Sequence, residues 1–335
     1  MTAWNFADVY ELVARAVPDR PAQIQGDRVI SWREFDQRAD ALAADMLAAG
    51  MSHQSKVAAY LYNGPEYLET YIAAFKGGFA PVNTNYRYGH DEIVYLFSNA
   101  DAEAVVFHAT FLDLVERVRH ELPGVRRWYC VADGTGACPD WAFDYESVVS
   151  QRVAGPVKGP WGRSPDDLYI LYTGGTTGMP KGVMWRQDDM VGSLDAASKV
   201  PFPAEPDWAA FDARVNKPGP RNLPAAPLMH GTGAFNAMWN LALGGSVVTL
   251  TGRHFEPVEL LDTVQQYRVN SMSIVGDAFA KPILRALDER PSGWDISSLR
   301  VIVSSGVIWA AETKAGLLRH NQRLIMVDSL GSSEA

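Results

Sequence analysis

The feature that most constrains the fold is a repeated alternation of strand-like and helix-like segments along nearly the whole chain. Apolar strand-like runs at 57–62, 104–107 and 128–131 alternate with stretches in which apolar residues recur at helical spacing. Successive parallel strands need a crossover between them, which is usually a helix. The alternation therefore predicts an α/β protein with mostly parallel sheets and helices on their faces.

The second half of the chain repeats this pattern after one interruption. Residues 201–227 are rich in Pro and Ala and show no clear period, which predicts a long extended loop. Beyond this tract, strands are predicted at 246–250, 271–275, 301–304 and 324–327, with helices between them. With 335 residues, the chain is long enough for about two domains or lobes.

Composition and charge exclude several classes of protein. Asp and Glu number 39 against 30 Lys and Arg, so the formal charge is −9 and the basic excess of a nucleic-acid binder is missing. The spacing of Cys130 and Cys138 is not that of a metal site. We expect both to be free thiols in a reducing compartment, and a single disulfide between them is the alternative.

The sequence also predicts a protein without a membrane span. Its first residues lack the basic start and apolar run of a signal peptide. The most apolar stretch, 228–250, is interrupted by His230, Asn236 and Asn240, and is not a continuous span of apolar residues. We therefore expect a cytoplasmic protein.

The segment richest in chemistry is 171–183, which reads LYTGGTTGMPKGV and follows a predicted strand at 168–172. Its glycines allow a tight turn and a close approach of the backbone to a ligand. Three threonine hydroxyls and the charge of Lys181 accompany the exposed N–H groups of such a loop. A loop with these donors suits the phosphates of a nucleotide.

Two known phosphate-binding motifs do not match this loop. A Walker A motif needs Gly-Lys-Ser/Thr, but Lys181 stands between Pro180 and Gly182. The dinucleotide fingerprint opens a helix, which Pro180 and Gly182 disfavour. From the residues alone, an ordinary glycine-rich turn between two strands remains an alternative.

The loop resembles the phosphate-binding signature of the adenylate-forming superfamily, which includes acyl-CoA synthetases, luciferases and peptide-synthetase adenylation domains. Segments 80–88, 227–231, 304–307 and 328–334 also resemble segments of that superfamily. The loop together with Val183-Met184-Trp185-Arg186 is most similar to actinobacterial ligases for steroid side chains and other bulky acids. The resemblance implies that residues 1–335 form an adenylating N-terminal domain of two interleaved, mostly parallel sheet-and-helix lobes.

The resemblance also implies a role for each matching segment. The residues that it implies to bind the nucleotide are Thr173, Gly174, Gly175, Thr176, Thr177, Gly178, Lys181, Ser305, Gly306, Val307, Asp328, Ser329, Leu330, Gly331, Ser332 and Ser333. It assigns catalytic roles to Lys181, Thr177 and Glu334, and makes Glu334 the magnesium-binding acid. His230 and Gly231 match the motif at the mouth of the acyl pocket.

Several positions differ from the family pattern. Gly174 stands for the usual Ser, Met179 for a frequent Lys, Leu330 for the common Tyr and Ser333 for the usual Thr. These changes remove a hydroxyl from the phosphate loop and an aromatic surface from the adenine site. The family's ribose-binding acid, hinge and small C-terminal domain have no counterpart in these 335 residues, so we expect an incomplete adenylating domain.

The resemblance implies an ATP-dependent acyl-CoA ligase acting on a bulky hydrophobic fatty or steroid side-chain acid, with ATP, Mg²⁺ and CoA as cofactor and co-substrates. We expect the 335 residues alone to be inactive in thioester formation. A non-catalytic module that binds a nucleotide or acyl-adenylate is the alternative, and a nicotinamide-dependent dehydrogenase is a more distant one. ATP–pyrophosphate exchange separates the first two hypotheses, and NADH binding tests the third.

Overall fold

The computed structural model describes residues 4–174, 178–196, 198, 201–203 and 207–329. The helices in these ranges are α1 (Phe6–Ala16), α2 (Trp32–Ala48), α3 (Pro65–Gly77), α4 (His90–Asn99), α5 (Leu112–Val118), α6 (Tyr145–Val149), α7 (Gln187–Asp195), α8 (Trp208–Val215), α9 (Gly231–Ala242), α10 (Pro257–Tyr267), α11 (Gly276–Glu289) and α12 (Ala311–His320). The strands there are β1 (Pro21–Gln25), β2 (Arg28–Ser31), β3 (Lys56–Tyr60), β4 (Ala80–Asn83), β5 (Ala102–His108), β6 (Arg127–Val131), β7 (Phe143–Asp144), β8 (Leu168–Thr173), β9 (Lys181–Arg186), β10 (Arg221–Pro224), β11 (Ser246–Thr249), β12 (Ser271–Ile274), β13 (Val301–Ser304) and β14 (Ile325–Asp328).

The strands form two sheets of seven, counted over the described residues. Sheet A has the order β14-β13-β12-β10-β11-β1-β2, and sheet B has the order β7-β6-β5-β3-β4-β8-β9. Neighbouring strands are parallel except at one edge of each sheet, where β2 and β9 run antiparallel to β1 and β8. The predicted α/β class with two mostly parallel sheets is therefore confirmed.

Helices cover both faces of both sheets, which produces five layers. The largest apolar core lies between the sheets, where α1, α2, α3 and α9 pack against inward residues such as Val57 and Val247. Sheet A packs its other face on α10, α11 and α12, and sheet B packs its other face on α4 and α5. Consecutive residues of β3, Val57 and Ala58, contribute to opposite cores because successive side chains of a strand point to opposite faces of the sheet.

Local signals set the ends of the early helices. The Ser31 hydroxyl accepts the N–H of Glu34 at 3.2 Å and caps α2. Pro65 occupies the first turn of α3, and Gly78 ends that helix with φ of 71°, a conformation that favours glycine. None of the helices within the described ranges is long and apolar enough to cross a membrane.

The prediction of an irregular tract at 201–227 is wrong for much of its length. Helix α8 begins after Asp207, whose carboxylate accepts two backbone N–H groups at 3.1 Å, and it buries Phe211 and Val215 one turn apart. Strand β10 is buried on both faces in the middle of sheet A, so its sequence shows no alternation of polar and apolar residues. Long-range packing, rather than local periodicity, defines both elements.

The two cysteines also differ from expectation. Cys130, in β6, and Cys138 form a disulfide in the structure, with Cα atoms 5.6 Å apart. The expectation of free thiols is therefore wrong. The spacing of the two cysteines did not indicate a disulfide. The turn after β6 returns Cys138 to the end of that strand, and this turn is a feature of the folded loop.

Candidate active site

The predicted phosphate loop connects two antiparallel strands at the edge of sheet B. Thr173, the last residue of β8, pairs with Lys181, the first residue of β9. Residues paired in this way point their side chains to the same face, so the hydroxyl and the ammonium flank the base of the loop together. Thr173 is half-buried, whereas Gly174, Gly178 and Lys181 are exposed. The prediction that Pro180 and Gly182 prevent a helix is confirmed, since a strand follows.

The predicted acyl-pocket motif lies between β10 of sheet A and helix α9. His230 is the N-cap of α9, and its carbonyl accepts the N–H of Ala234 at 3.0 Å. Gly231 lies against β8, because a Cβ added there would be 3.3 Å from Cδ2 of Leu171. Phe235, one turn further on, contacts Tyr169 of β8, with ring centroids 5.9 Å apart. The histidine motif and the phosphate hairpin are therefore neighbours, although they follow strands of different sheets.

The segment that follows β4 borders both motifs. A Cβ added at Gly174 would lie 3.9 Å from the hydroxyl of Tyr88. Desolvation lowers the pKa of His230, and the positive charge of Arg87 lowers it further. His230 is therefore mainly neutral at pH 7, and its imidazole can accept a hydrogen bond.

The segments predicted to bind adenine end two adjacent strands of sheet A. Ser304, at the end of β13, pairs with Asp328 at the end of β14, and Ser329 donates its N–H to the Ser304 carbonyl at 2.8 Å. Ser305, Gly306 and Val307 follow β13 directly, and Val307 is 55% exposed. The structure brings together five residues predicted to bind the nucleotide, which are Ser305, Gly306, Val307, Asp328 and Ser329. They lie at the carboxyl edge of the sheet, which is where open α/β sheets bind ligands.

The same edge of sheet A also carries the histidine motif. The strand order β13-β12-β10 separates the end of β13 from the loop before His230 by two strand spacings, or about 10 Å. The phosphate hairpin of sheet B meets this edge at the histidine motif, through Gly231 and Leu171. A nucleotide with its base at Ser305–Val307 and its phosphates near Lys181 would therefore run along this edge toward the histidine motif.

Eight predicted site residues lie outside the described residues. They are Gly175, Thr176, Thr177, Leu330, Gly331, Ser332, Ser333 and Glu334. Within the described ranges, no cluster of three or more His, Cys, Asp or Glu side chains has the arrangement of a metal site. Asp328 forms an ion pair with Lys314, so its charge is already partnered.

Some residues that shape this region were missed. Asn63 and Asn83 bind backbone groups of the loop that leads to His230, and Asp277 accepts the N–H of Ala310 at 3.2 Å just beyond the predicted adenine segment. Asn63 and Asn83 are polar residues at or just after the end of a buried strand, a pattern that could have singled them out. A surface cleft of about 740 Å³ beside α1 and α2 includes none of the predicted site residues.

Comparison with known families decides the family. The sequence model described as AMP-binding enzyme matches residues 10–335. The chain belongs to the AMP-binding enzymes. Membership covers nearly the whole chain and confirms the resemblance that the loop at 171–183 indicated.

Curated AMP-binding enzymes include relatives that align with almost all of the chain. A medium-chain acyl-CoA ligase of Mycobacterium avium is 34% identical over 99% of the chain and 63% of its own length. A medium/long-chain-fatty-acid–CoA/3-oxocholest-4-en-26-oate–CoA ligase of Mycolicibacterium smegmatis is 33% identical over 99% of the chain and 61% of its length. A 3-oxocholest-4-en-26-oate–CoA ligase of Rhodococcus rhodochrous is 33% identical, with 99% and 60% covered. The chain thus spans about three fifths of these relatives.

Solved structures share the fold at lower identity. An anthranilate CoA ligase in complex with anthranoyl-AMP superposes with a TM-score of 0.85 at 20% identity, covering 100% of this chain and 61% of that one. An acetoacetyl-CoA synthetase from Streptomyces lividans gives a TM-score of 0.82 at 18% identity, with 99% and 52% covered. The architecture of this AMP-binding enzyme is therefore that of the N-terminal part of acyl-CoA ligases.

Proposed function

We propose that the protein is an ATP-dependent acyl-CoA ligase for a bulky hydrophobic fatty or steroid side-chain acid. The observation that carries the proposal is the meeting of the Thr173–Lys181 hairpin with the His230 loop at the edge of sheet A that also bears Ser305–Val307. The named substrates of its curated relatives, medium- and long-chain fatty acids and a cholestenoate, support the class of acid. ATP and CoA are the proposed co-substrates, and their use supports a cytoplasmic location.

In the proposed first step, a carboxylate oxygen of the acid attacks the α-phosphorus of ATP. The bond from that phosphorus to pyrophosphate breaks, and acyl-AMP forms. Thr173 and Lys181, with Gly174–Gly178, would hold the phosphates and stabilise their growing negative charge. Ser305–Val307 and the segment 328–333 would hold the adenine, and His230 with Gly231 would border the acyl group.

A carboxylate oxygen is a ligand that Mg²⁺ prefers, so Glu334 has the chemistry to hold that ion beside the phosphates. A bound Mg²⁺ supplies positive charge that neutralises the phosphate oxygens. In the proposed second step, the CoA sulfur attacks the acyl carbon and AMP leaves. We propose that residues 1–335 form an adenylating domain and that CoA transfer depends on the part of the relatives that this chain does not span.

ATP–pyrophosphate exchange tests the proposed function. We expect exchange in the presence of Mg²⁺ with medium- and long-chain fatty acids or 3-oxocholest-4-en-26-oate, and none with short polar acids. ATP binding without exchange for any acid would instead favour the non-catalytic nucleotide-binding module. Thioester formation with CoA, measured separately, tests whether the 335 residues complete the second step, and we expect that they do not.

A further inference from the structure

Asn83 is a buried polar residue that bonds to both halves of the candidate site. It is the last residue of β4 and is only 3% exposed. Its side-chain oxygen accepts the N–H of Tyr172 at 2.6 Å, and its Nδ2 donates to the carbonyl of Tyr172 at 2.8 Å. The same Nδ2 donates to the carbonyl of Met229 at 2.7 Å. One amide therefore holds two segments that are far apart in sequence.

The two segments are the ones that carry the proposed chemistry. Tyr172 immediately precedes Thr173 at the base of the phosphate hairpin, and Met229 immediately precedes His230. The hairpin belongs to sheet B, whereas the His230 loop follows β10 of sheet A. The distance between the phosphate donors and the acyl-pocket motif therefore depends on how the two sheets are joined at this point.

An asparagine side chain suits this position because of its hydrogen-bonding groups. The contact needs one acceptor for an N–H and two donors for carbonyls, and a carboxamide offers both. Aspartate has the same shape, but its ionised form only accepts, so the carbonyls of Tyr172 and Met229 would face a negative charge. Alanine would leave three buried backbone groups without these partners, which costs free energy.

A second asparagine holds the start of the same loop from sheet B. Asn63, which follows β3, donates Nδ2 to the carbonyl of Pro224 at 3.1 Å and accepts the N–H of Leu228 at 2.7 Å. The loop from Pro224 to Met229 is thus bound at both ends, by Asn63 in the turn after β3 and by Asn83 at the end of β4. Of the two asparagines, Asn83 is the one that also bonds to β8.

We propose that Asn83 is a positioning residue for the adenylation step, and this rests on the proposed function. By fixing the hairpin to the His230 loop, it sets the alignment of the carboxylate with the α-phosphate. Attack at phosphorus needs the reacting atoms in near-attack geometry, and a misplacement of about 1 Å costs about 10²-fold in rate. Asn83 acts through the backbone of its neighbours and touches neither substrate.

The test compares Asn83→Ala with a matched asparagine remote from the site. Asn321 is buried and makes three bonds to backbone groups, two to the carbonyls of Ile296 and Leu299 at 2.9 Å and one from the N–H of Arg323 at 3.0 Å. We expect Asn83→Ala and Asn321→Ala to lower the urea midpoint by similar amounts. At equal folded fraction, we expect Asn83→Ala to lower kcat for pyrophosphate exchange about 10²-fold, with the ATP KM within about threefold, and Asn321→Ala to leave kcat unchanged.

Equal kcat values for the two alanine variants would overturn the proposal, as would a rise in KM for ATP without a fall in kcat. If Asn83→Ala does not fold, Asn83→Asp keeps the shape and the acceptor, and the same loss of kcat is expected from it. Decanoyl sulfamoyl adenosine spans the proposed nucleotide and acyl parts of the site, and its binding can be measured without turnover. We expect Asn83→Ala and Asn83→Asp to weaken its binding more than they weaken the binding of ATP. Absence of exchange in the unsubstituted protein would reject the proposed function and this inference with it, whereas an active protein with insensitive Asn83 variants rejects the inference alone.

Discussion

At the scale of single residues, Lys181 is the exposed cation at the base of the phosphate hairpin, opposite Thr173. If it stabilises charge on the leaving pyrophosphate, Lys181→Ala should slow pyrophosphate exchange by roughly 10²–10³, which is the usual cost of one preorganised donor. The free energy of unfolding should hardly change, because an exposed side chain contributes little packing.

Lys217 offers a matched control, since it is also exposed but lies in the connection between α8 and β10. Lys217→Ala should leave the exchange rate within about twofold, because its charge is not part of the hairpin. Initial rates at saturating acid and varied ATP measure both variants. An unchanged rate for Lys181→Ala would remove this residue from the catalytic set.

His108 links protonation to stability at the residue scale. It is buried at the end of β5, and its Nδ1 accepts the N–H of Tyr62 at 3.1 Å. Burial lowers the pKa of His108, Glu66 and Asp133 oppose that shift, and Arg253 adds to it. Because the folded pKa lies below the unfolded one, the folded protein binds fewer protons. The stability that the neutral His108 imidazole contributes is therefore complete above about pH 6.5, the unfolded pKa. It is lost as the pH falls through the lowered pKa of the folded state.

His108→Asn keeps an acceptor for Tyr62 but does not titrate. Chemical denaturation between pH 5.0 and 7.5 should show a shallower fall of stability in this variant than in the parent protein. His90 is exposed, and its hydrogen bonds to Asp91 and Glu121 raise its pKa. His90→Asn should therefore remove stability at low pH instead, because a raised folded pKa contributes below the unfolded one. Parallel curves for parent and His108→Asn would contradict the assignment.

At the scale of elements, the β8–β9 hairpin depends on a glycine beside the loop. A Cβ added at Gly182 would lie 2.8 Å from Cε2 of Tyr172 and 3.0 Å from Cγ2 of Ile170. Gly182→Ala should therefore force the side chains of Tyr172 and Ile170 to shift and cost about 1–3 kcal/mol in the free energy of unfolding. Since the displacement is at the hairpin base, the KM for ATP should rise as well.

Gly192 in α7 provides the opposite case with the same substitution. Apart from its chain neighbours and the adjacent backbone of α7, no described atom lies within 4 Å of a Cβ added there. Gly192→Ala should stabilise the protein by about 0.5–1 kcal/mol, because alanine loses less backbone entropy in a helix. Denaturant titrations of the two variants check the pair, and a stabilised Gly182→Ala would show that the hairpin tolerates a side chain.

At the scale of the whole molecule, the helical layer between the sheets contains a buried charge cluster. Lys76 of α3 is fully buried and lies 2.9 Å from Glu11 of α1, and 2.8 Å from both Asp36 and Asp40 of α2. Burial disfavours its charge, but the attraction of these three carboxylates outweighs burial and raises the pKa of Lys76. Three helices of the shared layer are thus joined by one ammonium group.

Lys76→Met keeps the length of the side chain and removes the charge. Asp36 and Asp40 would then lose this buried cation, whereas Glu11 would keep its ion pair with Arg163. We expect a loss of about 3–5 kcal/mol in the free energy of unfolding. Lys281→Met on α11, where the lysine is 62% exposed and pairs with Asp277, should cost less than about 1 kcal/mol. Urea titrations at pH 7 measure both, and equal costs would mean that the cluster contributes no more than a surface ion pair.

Much of the fold could be predicted from local patterns, and the failures have a common cause. Strand β13 was predicted with its observed bounds, since a short run of β-branched residues marks it, and α10 is one of the helices predicted between the later strands. Strand β10 was missed because it is buried on both faces and carries no alternation. Helix α8 was missed because the helix is too short to show a clear helical period. Its burial depends on partners distant in sequence, such as Trp4, whose ring lies 5.6 Å from that of Phe211.

The sequence by itself determined the α/β class and the family, because the first depends on short-range periodicity and the second on contiguous strings of residues. Only the tertiary structure decided how the two parts of the candidate site, the β8–β9 hairpin and the loop before His230, are joined. Asn83, Tyr172 and Met229 are separated by up to 146 residues, and no local pattern pairs them. A buried amide must find partners wherever the packed sheets put backbone groups. The contacts that align the two half-sites are therefore a property of how the sheets pack together.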